Sequence, residues 1–149
     1  MGPILDDQVC YALYTTSGLV TQAYADLLKP HGLTYPQFVV LMALWESDGK
    51  SMTQLAKRIN LSKATVSPIL KKMEQSGWIS RASVPGNDRL KSVLLTEQGK
   101  GLAEEGKQIT QAALCSTGLS QSEANDLLSL CSKIRNKLNT KNHDSINDA

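Results

Sequence analysis

Ser51-Met52-Thr53-Gln54-Leu55-Ala56-Lys57-Arg58-Ile59-Asn60-Leu61-Ser62-Lys63-Ala64-Thr65-Val66-Ser67-Pro68-Ile69-Leu70-Lys71-Lys72-Met73-Glu74-Gln75-Ser76-Gly77 is the stretch that decides the fold. Ser51 and Gln54 have the spacing of a capping box, in which the serine hydroxyl and the glutamine amide satisfy each other's backbone N–H groups. They open a short helix through Ile59. Asn60-Leu61 is a turn, Ser62 caps a second helix from Lys63, and Gly77 stops it. Two short helices joined by a tight turn outline a helix-turn-helix. In the second helix Val66, Ile69, Leu70 and Met73 form a buried stripe. That leaves Lys63, Thr65, Ser67, Lys71 and Lys72 on the outer face. Pro68 keeps two readings open. A proline inside a helix loses a hydrogen bond and crowds the preceding turn, so the helix could instead begin at Pro68 with Ser67 as cap, moving Lys63 and Thr65 into a loop.

Downstream, Trp78-Ile79-Ser80-Arg81-Ala82 and Lys91-Ser92-Val93-Leu94-Leu95 read as two strands around the turn Pro85-Gly86-Asn87-Asp88. This β-hairpin, with Arg89 near its tip, makes the helix-turn-helix a winged helix. Thr96 caps a long polar helix from Glu97 to about Ala113. Ser120-Gln121-Ser122-Glu123 opens a last helix through about Leu138, striped by Leu127, Leu130, Ile134 and Leu138. The tail after Thr140 is polar and expected to fray.

Upstream, Leu5, Val9, Ala12, Thr16, Leu19, Ala23 and Leu27 recur at helical spacing, so a helix is expected from Asp6 to about Lys29. Asp6 and Asp7 favour its start, and Lys29-Pro30-His31-Gly32 ends it. Thr34, Pro36 and Gln37 mark the start of the next helix. Phe38 to Trp45 is apolar almost all round, which fits a buried helix or a buried strand. The cap and the Leu/Met/Ala content favour helix. The expected fold is mainly α with a small β-hairpin, in a single domain. A winged helix-turn-helix core at 47–96 is flanked by dimerisation helices at 1–46 and 97–140.

The chain has 149 residues, 41% hydrophobic and 20% charged, which suits one soluble globular domain with a real core. No apolar run approaches the ~18–20 residues of a membrane span. The N-terminus has no basic region before an apolar one, as a secretory signal would. A cytoplasmic protein is expected, where three cysteines do not read as a disulfide framework. The net charge of +2 hides an asymmetry. From Lys50 to Lys91 nine positive residues face two negative ones, a net +7, and the remainder is −5. Such a segment is an electrostatic footprint for a polyanion, although a solvated Lys-rich face has the same composition. His31 and His143 are isolated, with no Cys/His spacing for zinc. There is no Gly-rich phosphate loop and no Ser-His-Asp order. No cofactor, metal or enzymatic activity is expected.

Leu33-Thr34-Tyr35-Pro36-Gln37-Phe38, Gln54-Leu55-Ala56, the helix from Ser62 to Gly77, Asp88-Arg89 and Leu95-Thr96-Glu97-Gln98-Gly99 follow one another in an order that resembles the MarR family of dimeric bacterial transcriptional regulators. The resemblance covers nearly the whole chain. Leu5-Asp6-Asp7-Gln8-Val9-Cys10-Tyr11-Ala12-Leu13-Tyr14, with Leu33 to Gln37 and Thr65 to Lys71, looks more narrowly like the organic hydroperoxide resistance regulators of that family. The helical proline belongs to that subgroup too, which implies one kinked helix from Lys63. The resemblance implies a homodimeric repressor on a pseudo-palindromic DNA operator, released when organic or lipid hydroperoxides oxidise Cys10. It implies Tyr24 and Tyr35 as the phenols that hydrogen-bond the reactive thiol. For the two-cysteine type it implies Cys115 as the resolving thiol, in a disulfide across the dimer. In one departure, the family's wing carries Asp two residues before its arginine. Here that place is Asn87, with Asp88 adjacent, which leaves the wing's ion pair open.

A sensing thiol reacts as thiolate. Cys10 and Tyr24 lie 14 residues apart in one expected helix, about 21 Å at 1.5 Å per residue. They cannot touch within one chain, so if they pair, Tyr24 comes from the other subunit. Leu5, Val9, Leu13 and Leu41 would favour an alkyl or lipid hydroperoxide over hydrogen peroxide. Cys131, beside the Leu127-Leu130-Ile134 stripe, reads as core. Tyr14 is either a third phenol or packing on a helix face. On DNA, Lys63, Thr65 and Ser67 would meet base edges and phosphates, Lys71 and Lys72 phosphates, and Arg89 a minor groove narrowed by A·T pairs. Half-sites would lie about one helical turn apart. Two other readings stand beside this one. The first is a MarR-type regulator of a small aromatic or phenolic ligand, with Cys10 lining the pocket. The second is a thiol peroxidase using Cys10 and Cys115, against which the basic winged helix argues.

Overall fold

The computed structural model describes residues 1–144. The chain divides into two compact units, Met1–Ala113 and Leu114–Ala149. The first holds α1 (Val9–Leu28), α2 (Tyr35–Glu46), β1 (Lys50–Ser51), α3 (Met52–Ile59), α4 (Lys63–Gln75), β2 (Ile79–Val84), β3 (Asn87–Leu95), α5 (Glu97–Gly101) and most of α6 (Ala103–Ser116). The protein is mainly α with one small sheet, and α3, α4 and the β2–β3 wing form a winged helix-turn-helix.

Local hydrogen bonds account for most helix starts. Thr34 and Gln37 form a complete capping box at α2, and Ser51 and Gln54 form another at α3. Asn60 turns the chain in the left-handed conformation, φ 56°. Ser62 then accepts the Thr65 N–H, and α4 runs unbroken through Pro68. Pro68 leaves the Ala64 carbonyl without its helical donor. The helix continues because Val66, Leu70 and Met73, on either side of the proline, are fully buried. At the N-terminus, Leu5–Asp7 forms a separate 3-10 turn and Gln8 is extended, so α1 starts at Val9 rather than Asp6.

The core gathers round α2. Phe38, Val40 and Leu41 are fully buried, and Leu28, Leu55, Val66, Leu70, Met73, Ile79 and Val93 close over them. The α1 stripe behaves differently. Val9, Ala12, Thr16 and Leu19 are exposed, and only Leu28 at the far end is buried.

The sheet has three antiparallel strands in the order β1-β3-β2, with Lys50 opposite Val93 and Ile79 opposite Leu95. The two-residue β1 is too short to leave a hydropathy pattern. The hairpin tip is tighter than expected: Val84 pairs with Asn87, and Pro85-Gly86 alone make the turn, with Gly86 at φ 85°.

The expected single helix after Thr96 is two. Thr96 caps α5, and the helix breaks at Leu102 before α6. The Gly99 carbonyl accepts the Trp45 indole N–H at 2.9 Å, and glycines at 99 and 101 give the segment little helical propensity. A Cβ on Gly99 would lie 2.3 Å from the Trp78 carbonyl oxygen.

In the second unit, Ser120 and Glu123 cap α7 (Gln121–Asp144), which continues past the expected end at Leu138. Leu127, Leu128, Leu130 and Leu138 are exposed. Residues 145–149, in the expected tail, lie outside the described residues. Among the described residues no helix is long and apolar enough to cross a membrane.

Gly99→Ala is expected to destabilise the protein by about 1–3 kcal/mol, the usual cost of forcing atoms into a packed site. Gly101→Ala meets nothing within 4 Å and is expected to be neutral or to stabilise by up to about 1 kcal/mol through helix propensity. Urea unfolding midpoints of the two variants check this; equal losses would contradict it.

Candidate redox site and nucleic-acid interface

Tyr24 and Tyr35 meet because Lys29–His31 makes a 3-10 turn, Gly32 reverses the chain at φ 66°, and α2 starts at Tyr35. Tyr24 lies one helical turn before the buried Leu28, on the face that α1 presents to the core. The ring centroids are 4.8 Å apart, and Tyr24 also stands 6.0 Å from Phe38. Both phenols are half-buried. Burial, and secondarily the neighbouring Tyr35, hold the Tyr24 phenol above its ordinary value of 10.0.

Cys10 is the second residue of α1 and is exposed. With α1 unbroken between them, the helical rise keeps Cys10 about 21 Å from Tyr24 of its own chain. The chain therefore joins the two phenols and holds the thiol apart. Leu5, Val9 and Leu13 near Cys10 are 56%, 64% and 40% exposed. Leu41, expected beside them, is fully buried instead, on the side of α2 that packs into the core with Phe38 and Leu44. Cys115 is exposed near the end of α6. Cys131 is half-buried rather than core, and Tyr14 is 82% exposed. His31 Nε2 lies 3.5 Å from Glu105 Oε2, a contact with no local sequence signal. The side chain of His143 lies outside the described residues. Among the described residues no three His, Cys, Asp or Glu side chains could hold a metal ion.

On α4, Lys63, Thr65, Ser67, Lys71 and Lys72 are all exposed, on the side opposite Val66, Leu70 and Met73. The Thr65 hydroxyl is 2.8 Å from Ser62 Oγ, which ties it into the helix cap. Ser67, Lys71, Glu74, Arg81 and Lys91 line an open cleft of about 650 Å³ between α4 and the wing. Arg81 and Lys91 are absent from the residues singled out by sequence. Their signal was the charge of the segment, but only the antiparallel register brings the wing against α4. Arg81 Nε sits 3.3 Å from Glu74 Oε2, an ion pair of the half-exposed kind that contributes about 0–1 kcal/mol. At the tip, the Asn87 amide oxygen accepts the Arg89 backbone N–H at 3.1 Å. Among the described residues no carboxylate lies within ion-pair distance of the exposed Arg89.

The raised Tyr24 value fixes the sign of a pH effect. The folded state holds the neutral phenol more tightly than the unfolded chain does, so this contribution is complete below pH 10 and is lost as pH rises through the folded value. Tyr24→Phe is expected to remove a phenolate absorbance change that occurs above pH 10 and to flatten the alkaline fall in stability. Spectrophotometric titration of both proteins checks it; a high-pH phenolate persisting unchanged in Tyr24→Phe would contradict it.

Residues 33–91, from the start of α2 through the wing, match the MarR family. The chain is 35% identical to the HTH-type transcriptional regulator TtmR of Methylorubrum extorquens, over 92% of this chain and 70% of that protein. It is also 35% identical to the organic hydroperoxide resistance transcriptional regulator of Bacillus subtilis, over 91% of this chain and 90% of that one. Among solved structures, reduced AbfR bound to DNA superposes with a TM-score of 0.77 at 30% identity, covering 91% of this chain and 93% of AbfR. Overoxidised AbfR bound to DNA superposes with a TM-score of 0.72, also at 30% identity, covering 90% and 94%. The helix-turn-helix with its basic second helix α4, the recognition helix of such a motif, the wing and these relatives together place the chain in the MarR family of DNA-binding transcriptional regulators.

Proposed function

We propose that the protein is a redox-sensing repressor. It binds a pseudo-palindromic operator as a homodimer and leaves it when an organic hydroperoxide oxidises Cys10. The observation that carries this reading is the division of the site. Two phenols stand 4.8 Å apart, and the exposed thiol they would serve is out of reach on the same chain. A second copy supplies what is missing, with Cys10 of one subunit against Tyr24 and Tyr35 of the other. The exposed apolar residues of α1, and separately those of α7, support a dimer, because large apolar side chains left bare along a helix mark an interaction surface. A relative named for organic hydroperoxide resistance and another solved on DNA in two oxidation states support the input.

The chemistry is a two-electron oxidation. The Cys10 thiolate attacks a peroxide oxygen; the S–O bond forms, the O–O bond breaks, and the alkoxide leaves as alcohol after taking a proton. The phenols donate hydrogen bonds to the thiolate. The sulfenic acid then meets the Cys115 thiolate of the partner. The S–S bond forms, the S–O bond breaks, and hydroxide leaves as water after taking a proton. Such a bond requires Cα atoms within about 7 Å. The movement that brings them there changes the spacing of two recognition helices matched to half-sites about one helical turn apart.

A gel shift before and after cumene hydroperoxide tests this. Cys10→Ser is expected to bind operator as wild type does and to stay bound in peroxide. Cys115→Ser is expected to keep a dimedone-reactive sulfenic acid at Cys10 and to form no covalent dimer on non-reducing gels. Release of Cys10→Ser by peroxide would end the proposal. A covalent dimer lost only in Cys131→Ser would move the resolving role to Cys131.

The DNA surface has its own test. Lys63, Thr65 and Ser67 are assigned to base edges and phosphates, Lys71 and Lys72 to phosphates, and Arg89 to a minor groove. Lys71→Ala is expected to weaken all sequences evenly, and Arg89→Ala chiefly those with A·T-rich flanks. Each lost phosphate contact is expected to reduce the slope of log K against log salt by about one unit. Unchanged slopes in both variants would place the DNA elsewhere.

A further inference from the structure

We infer that Trp45 is a positioning residue that links the Tyr24–Tyr35 pair to the root of the wing, so that a shift of α2 at the phenols is transmitted to the recognition helix. The path consists of direct contacts. Tyr35 starts α2 and Trp45 lies one residue before its end. Tyr24 packs 6.0 Å from Phe38, and Phe38 meets Trp45 edge-on at 5.7 Å. The Trp45 indole N–H then donates to the Gly99 carbonyl at 2.9 Å.

Gly99 sits at the joint of the DNA-binding half. Its α-carbon packs so closely on the Trp78 carbonyl that a Cβ there would stand 2.3 Å away. That same carbonyl accepts the Thr96 backbone N–H at 3.2 Å, and the Trp78 N–H donates to Met73 in the last turn of α4 at 3.0 Å. On its other side the Trp45 ring is pressed by Gly106 of α6, where a Cβ would lie 2.8 Å from the ring. At both ends the indole meets backbone, so no flexible side chain is there to absorb a displacement of α2. Packed elements of this kind move as blocks. The indole N–H is the group that ties α2 to the carbonyl of Gly99. A phenylalanine keeps an aromatic ring beside Phe38 and loses both that tie and the far ring edge that meets Gly106.

This inference takes the phenols as the sensing end from the function proposed above, and its test separates the two. Operator affinity is measured for wild type, Trp45→Phe, Tyr35→Ala and the double variant, each checked for a folded circular dichroism spectrum. It is measured again for the first two after cumene hydroperoxide. Reduced Trp45→Phe is expected to bind within about threefold of wild type. Peroxide is expected to weaken wild type by a factor in the usual range of about 5- to 150-fold for coupled sites, and Trp45→Phe far less, with dimedone labelling showing Cys10 oxidised equally in both. Full release of Trp45→Phe would overturn the inference.

If wild type itself is not released, the redox reading fails and the link is judged by the cycle alone. Tyr35→Ala is expected to weaken binding in the wild-type background and to add no further loss to Trp45→Phe, whereas additive losses would overturn it. Should Trp45→Phe not fold, Trp78→Phe leaves Trp45 as the sole tryptophan. Its emission is then expected to shift on Tyr35→Ala, and an unchanged emission would overturn the link.

Discussion

The burial of α2 on all but its Tyr35–Val39–Met42 side is the constraint on which the first unit depends. A helix with one apolar stripe needs one neighbour, but α2 is apolar almost all round and needs several. Phe38, Val40, Leu41, Ala43 and Leu44 are all at most 4% exposed. Burying one large side chain contributes about 1.5–3 kcal/mol, and truncating one in a packed core costs about 2–5 kcal/mol. These terms hold α1, α3, α4 and the wing against α2. They also make it a strut between two kinds of chemistry. Its first residue, Tyr35, carries a phenol, and Trp45 near its end holds the turn beneath the wing. Between those ends α2 has nothing polar enough to react or charged enough to bind DNA. Its part is to keep the two ends at a fixed separation.

How much of this the sequence discloses depends on the range of each interaction. The caps at Thr34, Ser51, Ser62, Thr96 and Ser120 were all legible, because each joins residues three apart. The recognition face was legible by exclusion: once Val66, Leu70 and Met73 point inward, Lys63, Ser67 and Lys71 point outward. The features that escaped have distant partners. The Trp45–Gly99 bond spans 54 residues, and Asp48 accepts the Leu95 N–H across 47. β1 exists only because β3 lies beside it, and the break at Leu102 follows a segment anchored by Trp45. The tyrosines were reached through the family resemblance. Periodicity would never pair Tyr24 with Tyr35, since their contact depends on the angle of the turn at Gly32.

In the proposed dimer, the apolar residues left bare on α1 and α7 and the divided redox site have one cause. The first half of α1 finds no cover within the first unit, where Val9 and Leu19 are 64% and 74% exposed. Cys10 lies on that same half. A thiol placed there meets phenols only where two chains meet, and oxidation then acts where half-site spacing is set. A thiol in the α2 core would be shielded from large hydroperoxides and far from any movable boundary.

Asn87 shows how a single atom type redistributes charge at the wing tip. Its amide oxygen accepts the Arg89 N–H, as a carboxylate would, so the backbone geometry of the tip is kept. The negative charge is not. An exposed ion pair at this place would contribute about 0–1 kcal/mol, and inserting the arginine into a groove would first have to break it. Without that pair the arm costs about 0.5–1.5 kcal/mol more freely sampled side-chain entropy when it is immobilised. The two effects are of similar size and opposite sign, so in the proposed complex Asn87 would change affinity little. What it would change is how that binding responds to salt. In the proposed complex, a guanidinium with no carboxylate at ion-pair distance would displace counterions from DNA with more of its charge, and the electrostatic part of binding would fall more steeply as salt rises.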